Sequence, residues 1–184
     1  MDTDFFRPDE SRVREDYFLI VSALVPYKRV DLAVETFNRT GEPLKIVGTG
    51  PEYGALRKRA RPNVEFLGSV GPDDLRRFYQ GARAFILPGE EDFGIATLEA
   101  QACGTPVIAY GRGGSLETVV PGRTGLLFDD LSVRGLRAAL DNFSSFPCNK
   151  AAIRANAESF SRQSFKERIS AYIGQKWSEH REGR

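Results

Sequence analysis

Six short apolar runs punctuate the chain at intervals of roughly twenty to twenty-five residues, and helical patterns fill the gaps between them. The runs are YFLIVS (17–22), LKIVG (44–48), NVEFLG (63–68), AFILP (84–88), PVIAY (106–110) and TGLLFD (124–129), each of strand length. Helices are predicted over 29–40, 51–61, 72–81, 95–103 and 114–120. Such alternation is the signature of βα units around a parallel sheet. The right-handed crossover rule then favours an α/β, Rossmann-like, doubly wound sandwich with helices on both faces and a ligand crevice at the carboxyl ends of the strands. After Asp130 the pattern is purely helical, with Asn149 a candidate cap and a final run from Ser161 toward Trp177. One unit over 1–184 is expected: a linker at 1–16, the α/β core at 17–130, and C-terminal helices at 131–184.

Candidate chemistry sits at the predicted strand ends. Gly48-Thr49-Gly50-Pro51 closes one strand and opens a helix, with Pro51 suited to a first helical position. The dinucleotide-binding spacing fails at Tyr53, and it fails again at Leu116 in the second cluster, Gly111-Arg112-Gly113-Gly114. An ordinary tight βα turn is the alternative reading of both. Lys28, on the loop after the first strand, offers a positive charge to a phosphate, although most such lysines are merely solvated.

The decapeptide EEDFGIATLE (90–99) is the most informative segment. Pro88 and Gly89 stop the strand before it, while Ile95, Leu98 and Ala102 fall at helical spacing after it. The unpaired N–H groups and partial positive charge of a helix start make Gly94, Ile95, Ala96 and Thr97 a candidate anion cradle. Glu99, about one turn in and tilted back toward the N-terminus, is placed to meet the same ligand. A carboxylate beside a pyrophosphate is repelled unless it accepts hydrogen bonds, so a ribose diol is its natural partner. Taken singly, Glu91 and Glu99 read as solvated surface acids.

Composition narrows the classes. At 184 residues the chain can bury a sizeable core, and its 26 basic and 25 acidic residues nearly cancel, so neither nucleic acid nor an anionic membrane is an obligatory partner. The opening MDTDFFRPDE is polar, no apolar run is long enough to span a bilayer, and a cytoplasmic location is expected. Cys103 and Cys148 lack zinc spacing and His180 is the single histidine, so no metal site and no Ser-His-Asp or Cys-His pair is expected. Asn38-Arg39-Thr40 and Asn142-Phe143-Ser144 match the glycosylation pattern without a secretory signal to support it.

The segments VSALVPYKRVDLAVETF, LKIVGTGPE, NVEFLGSV, FILPGEEDFGIATLEAQACGTPVIAYGRGGSLETV and GRTGLLF, in that order, resemble the C-terminal domain of retaining GT-B glycosyltransferases of family four, particularly the mannosyltransferase-like members. Glu91 and Glu99 meet that family's pattern of Glu, seven residues, Glu. The resemblance implies that Glu91 faces the donor sugar hydroxyls, Glu99 the ribose, and the backbone of Gly94 to Thr97 the sugar and diphosphate. It also implies that Lys28 neutralises the departing diphosphate beside an oxocarbenium-like sugar, that Gly48 and Gly50 belong to the donor site, and that Leu67 and Gly68 help hold the base. Such enzymes work without a bound divalent metal, and their retention is usually explained by front-face attack, so Glu91 is not assigned as nucleophile.

Two departures qualify the resemblance. Many relatives carry Arg five residues before the lysine, where this chain has Ala23; Arg29 and Arg112 are the candidate replacements. A GT-B enzyme reacts between two Rossmann-like domains, and only the donor half is expected here, with MDTDFFRP as the linker into it and the N-terminal acceptor domain absent. The expected function is therefore nucleotide-sugar binding, GDP-mannose first and UDP-sugars next, for transfer to a glycan or lipid-linked acceptor. The isolated chain is expected to be inactive, any membrane contact being made by the absent domain. The rivals are a non-catalytic module that keeps the fold for protein contact and a different nucleotide-binding enzyme such as a dehydrogenase.

Overall fold

The computed structural model describes residues 1–182, which form six strands and eight α-helices. In chain order these are β1 (Phe18–Val21), α1 (Val30–Thr40), β2 (Leu44–Val47), α2 (Tyr53–Arg59), β3 (Val64–Gly68), α3 (Pro72–Gly81) and β4 (Ala84–Leu87). There follow α4 (Ile95–Ala102), β5 (Val107–Tyr110), α5 (Ser115–Thr118), β6 (Gly125–Phe128), α6 (Val133–Phe143), α7 (Lys150–Glu158) and α8 (Arg162–Glu182). All strands are parallel, in the order β3-β2-β1-β4-β5-β6. β1 and β4, far apart in sequence, are neighbours, and the connections run away from them in opposite directions. Their carboxyl ends therefore flank the topological switch point where a crevice opens.

The period-two geometry of a strand divides the apolar runs between two cores. Phe18, Ile20, Ile46, Ile86 and Ile108 point to one face, where α1 and α6 cover them. Leu19, Val47, Phe85, Leu87, Val107 and Ala109 point to the other, under α3, α4 and α7. Burial on both faces is why the central strands β1, β4 and β5 read as continuous apolar runs.

Predicted helices shortened where local chemistry intervened. The Glu52 amide donates to the Leu24 carbonyl at 3.1 Å, which delays α2 to Tyr53. At its other end Ala60 is already extended and Pro62 disfavours a helical Arg61. Asn149 caps α7, its side chain accepting from the Ala152 amide at 3.0 Å, as Ser132 caps α6. The opening segment is docked on the body: Phe6 is buried edge-on against Tyr79, and the Met1 amino group donates to the Phe160 carbonyl at 3.0 Å. By contrast, α8 leaves Phe165, Ile169, Tyr172, Ile173 and Trp177 exposed along its length.

Candidate active site

The site forms where the loops after β1 and β4 meet. Beyond β1 the chain makes a single 3-10 turn at Pro26–Lys28, closed by Arg29 with φ 53°, the one non-glycine residue with positive φ among those described. That turn sets Lys28 over the switch point. After β4, Gly89 passes so close to the Tyr27 and Lys28 backbone that a Cβ would lie 2.6 Å from the Tyr27 carbonyl oxygen. The second glycine cluster serves the same loop from the other side. The Gly114 amide donates to the Glu91 carbonyl at 2.7 Å, and a side chain on Gly113 would collide with that carbonyl oxygen. Gly89, Gly113 and Gly114 thus fix where Glu91 stands, a role that the glycine spacing alone does not reveal.

Lys28 and Glu91 form an ion pair, Nζ to Oε2, with side chains 12% and 26% exposed. They line an open cavity of about 460 Å³ together with Ser22 and Ala23 on the β1 side and Gly94, Ile95 and Ala96 on the β4 side. Gly94 caps α4 in the left-handed conformation at φ 81°, and the first-turn amides of Ile95 and Ala96 have no helical acceptor. Thr97 differs from its neighbours. Its amide donates to the Gly94 carbonyl at 3.0 Å, and its side chain is fully buried with an unpartnered hydroxyl, so the residues of the cradle that line the cavity are Gly94, Ile95 and Ala96.

The remaining sequence-predicted residues lie outside this cavity. Glu99 is half-buried on α4 and turned toward α3, where its Oε2 accepts the Tyr79 hydroxyl at 2.9 Å. Burial raises its carboxyl above the usual range, and the Tyr79 hydrogen bond opposes that rise. Gly48 and Gly50 back the β1 loop: a Cβ on Gly48 would strike the Ser22 carbonyl oxygen, and one on Gly50 would crowd Leu24. Both therefore permit close packing of the β2–α2 turn rather than line the cavity. Leu67 and Gly68 end β3 at the sheet margin, and the Gly68 carbonyl accepts the Gly48 amide at 2.7 Å. Arg29 is paired with Asp31 at 3.2 Å, whereas Arg112 is exposed beside the Gly113 turn. The Ala23 position stays open to the cavity.

Among the described residues no three His, Cys, Asp or Glu side chains gather as metal ligands, and no helix is long and apolar enough to cross a membrane. The arrangement combines one cation, Lys28, two carboxylates, Glu91 and Asp92, and a helix N-terminus around a cavity with an apolar rim of Tyr27, Phe93 and Ile95. It suits a ligand carrying both phosphate and hydroxyl groups.

Residues 2–160 match the family described as Glycosyl transferases group 1. The GDP-mannose-dependent alpha-(1-6)-phosphatidylinositol monomannoside mannosyltransferase of Mycobacterium tuberculosis is 38% identical over 161 residues, covering 72% of this chain and 42% of that protein. Sucrose-phosphate synthase from Thermosynechococcus elongatus superposes with a TM-score of 0.81 at 21% identity, over 97% of this chain and 51% of the other. The Anabaena protein HepE, solved in complex with UDP, gives 0.80 at 18% identity, over 95% and 56%. These two share the fold. The chain spans about half the length of the curated relatives it matches.

Proposed function

The chain belongs to the glycosyl transferases of group 1, and from that premise we propose that it binds the nucleotide-sugar donor of a retaining hexosyl transfer. GDP-mannose is the leading donor, supported by the mannosyltransferase relatives, and UDP-sugars come next. The observation that carries this reading is the Lys28–Glu91 pair beside the N-terminus of α4, at the switch point between β1 and β4. In the donor complex the amides of Ile95 and Ala96 hold the diphosphate, and Lys28 neutralises charge as the sugar–phosphate bond breaks. Glu91 accepts hydroxyls of the sugar, Glu99 those of the ribose, and Leu67 and Gly68 border the base. No metal takes part.

The acceptor, a glycan or lipid-linked hydroxyl compound, is held by a second, acceptor-binding domain, and α8 with its exposed apolar stripe packs against that domain. Alone, the chain binds donor weakly and transfers little or no sugar. Calorimetric titration and thermal shift against GDP-mannose, UDP-glucose, GDP, UDP and NAD, with Glu99→Ala as control, test the reading. Stabilisation by one nucleotide family, weakened about tenfold in the variant, supports it. A second reading, a non-catalytic module kept for protein contact, is favoured by Ala23 and the α8 stripe, and it expects silence across the whole panel.

A further inference from the structure

We propose that Tyr79 is a positioning residue for donor binding: its hydroxyl, donating to Glu99 Oε2 at 2.9 Å, holds that carboxylate in the orientation in which it accepts a ribose diol. This rests on the donor-binding reading of Glu99. The tyrosine is fully buried and its ring is fixed, edge-on to Phe6 at 5.8 Å and tilted against Phe85 at 5.9 Å. Its own carbonyl accepts the Thr105 hydroxyl at 2.6 Å, so the end of α3 is tied to the turn after α4. The phenolic oxygen is therefore held in place, and its hydroxyl donates to Glu99. A carboxylate on a helix surface samples several rotamers, and a fixed donor on one oxygen selects among them. Oε1 takes no hydrogen bond within the described chain, and each oxygen carries a second lone pair. The pair can thus receive two ribose hydroxyls while Tyr79 stays bound.

The same contact governs charge. Glu99 loses hydration at its half-buried position, which raises its carboxyl, and the Tyr79 hydroxyl counters this by bonding to the ionised form. The other groups facing it are the Met1 amino group from the opening segment, which favours the charge, and Cys103, the residue that follows α4, whose thiol is pushed up to about 12 by burial and by Glu99. Arg76 on α3 and Arg154 on α7 act on Cys103. Without the tyrosine hydroxyl, burial is less opposed, and protonation reaches Glu99 at higher pH.

The test compares GDP and UDP with their 2′,3′-dideoxy counterparts, titrated into wild type, Tyr79→Phe, Glu99→Gln and Glu99→Ala across pH 5 to 8. Tyr79→Phe is expected to reduce the preference for the ribonucleotide over its dideoxy form by several-fold to about tenfold at neutral pH. It should also move the acid loss of ribonucleotide binding to higher pH, and leave dideoxynucleotide affinity unchanged. Glu99→Gln should abolish that acid loss. Equal weakening of both nucleotide forms, with an unmoved pH profile, would reduce Tyr79 to a packing residue and overturn the proposal. If Glu99→Ala weakens ribonucleotides while Tyr79→Phe does not, Tyr79 alone is wrongly assigned; if neither variant changes the ribose preference, the donor role of Glu99 falls as well. Should Tyr79→Phe fold poorly, the loss of pH dependence in Glu99→Gln still decides whether a titrating Glu99 reads the diol.

Discussion

Replacing Glu91 by Gln should tighten binding of a nucleoside diphosphate, the opposite of what removing a binding residue ordinarily does. The Lys28 ammonium is paired with Glu91, and both side chains are mostly withdrawn from water, at 12% and 26% exposure. An incoming diphosphate must share or displace that partner, and Glu91 repels it. A hydrogen bond between charged groups contributes about 1.5 to 3 kcal/mol, and the cavity is open on one side, so the lower end of that range applies. Freed of it, Lys28 should bind diphosphate about tenfold more tightly. A nucleotide sugar gains the same amount but exchanges a charged carboxylate acceptor for the weaker amide oxygen of Gln at its sugar hydroxyls. Because the phosphate gain is common to both ligands, preference for the nucleotide sugar over the nucleoside diphosphate should fall by about fivefold, the difference of about 1 kcal/mol between a charged and a neutral acceptor. Calorimetry with GDP, UDP, GDP-mannose and UDP-glucose at low and high salt measures both quantities, and Lys28→Ala combined with Glu91→Gln should erase the gain. Unchanged or weaker diphosphate binding in Glu91→Gln would refute the reasoning, since Lys28 would then have been available all along or would not meet the phosphate.

Burial raises the folded-state carboxyl of Glu99, so the stability linked to this group is full below its unfolded value and is lost as pH rises through the folded one. Glu99→Gln should accordingly raise the melting temperature at pH 7.5 relative to wild type and change it little at pH 4, as thermal melts at the two pH values would show. Gly48→Ala should cost at least about 2 kcal/mol in a urea titration, because φ 132° is a strained backbone for alanine and its methyl group meets the Ser22 carbonyl. Alkylation followed by mass spectrometry should label the exposed Cys148 rapidly and leave Cys103 unmodified in the folded chain, its thiol being buried and pushed up to about 12. Comparable labelling of both would mean that the face carrying α4 and α7 opens readily.

Much of this protein is written in local pattern. The six apolar runs became the six strands within a residue or two, since a strand buried on both faces needs a continuous apolar stretch, and that requirement is visible in any window of the chain. The N-terminus of α4 at Ile95 and the Asn149 cap were legible for the same reason: left-handed glycines and side-chain caps act on neighbours only. The family pattern of Glu91 and Glu99 also lies in the chain itself. Spacing does not say which way a side chain turns, however. Glu91 and Glu99 share one short segment, yet one faces Lys28 across the crevice and the other faces Tyr79 on α3. That divergence follows from the strand order, which sets β1 beside β4 and brings Lys28 to a residue 63 positions away. It follows equally from the glycines at 89, 113 and 114, whose missing side chains allow three loops to touch. Local periodicity thus determined the elements and their sequence, whereas long-range packing decided which of the candidate residues share a cavity, because contacts between distant segments depend on sheet order and excluded volume and leave no period in the chain.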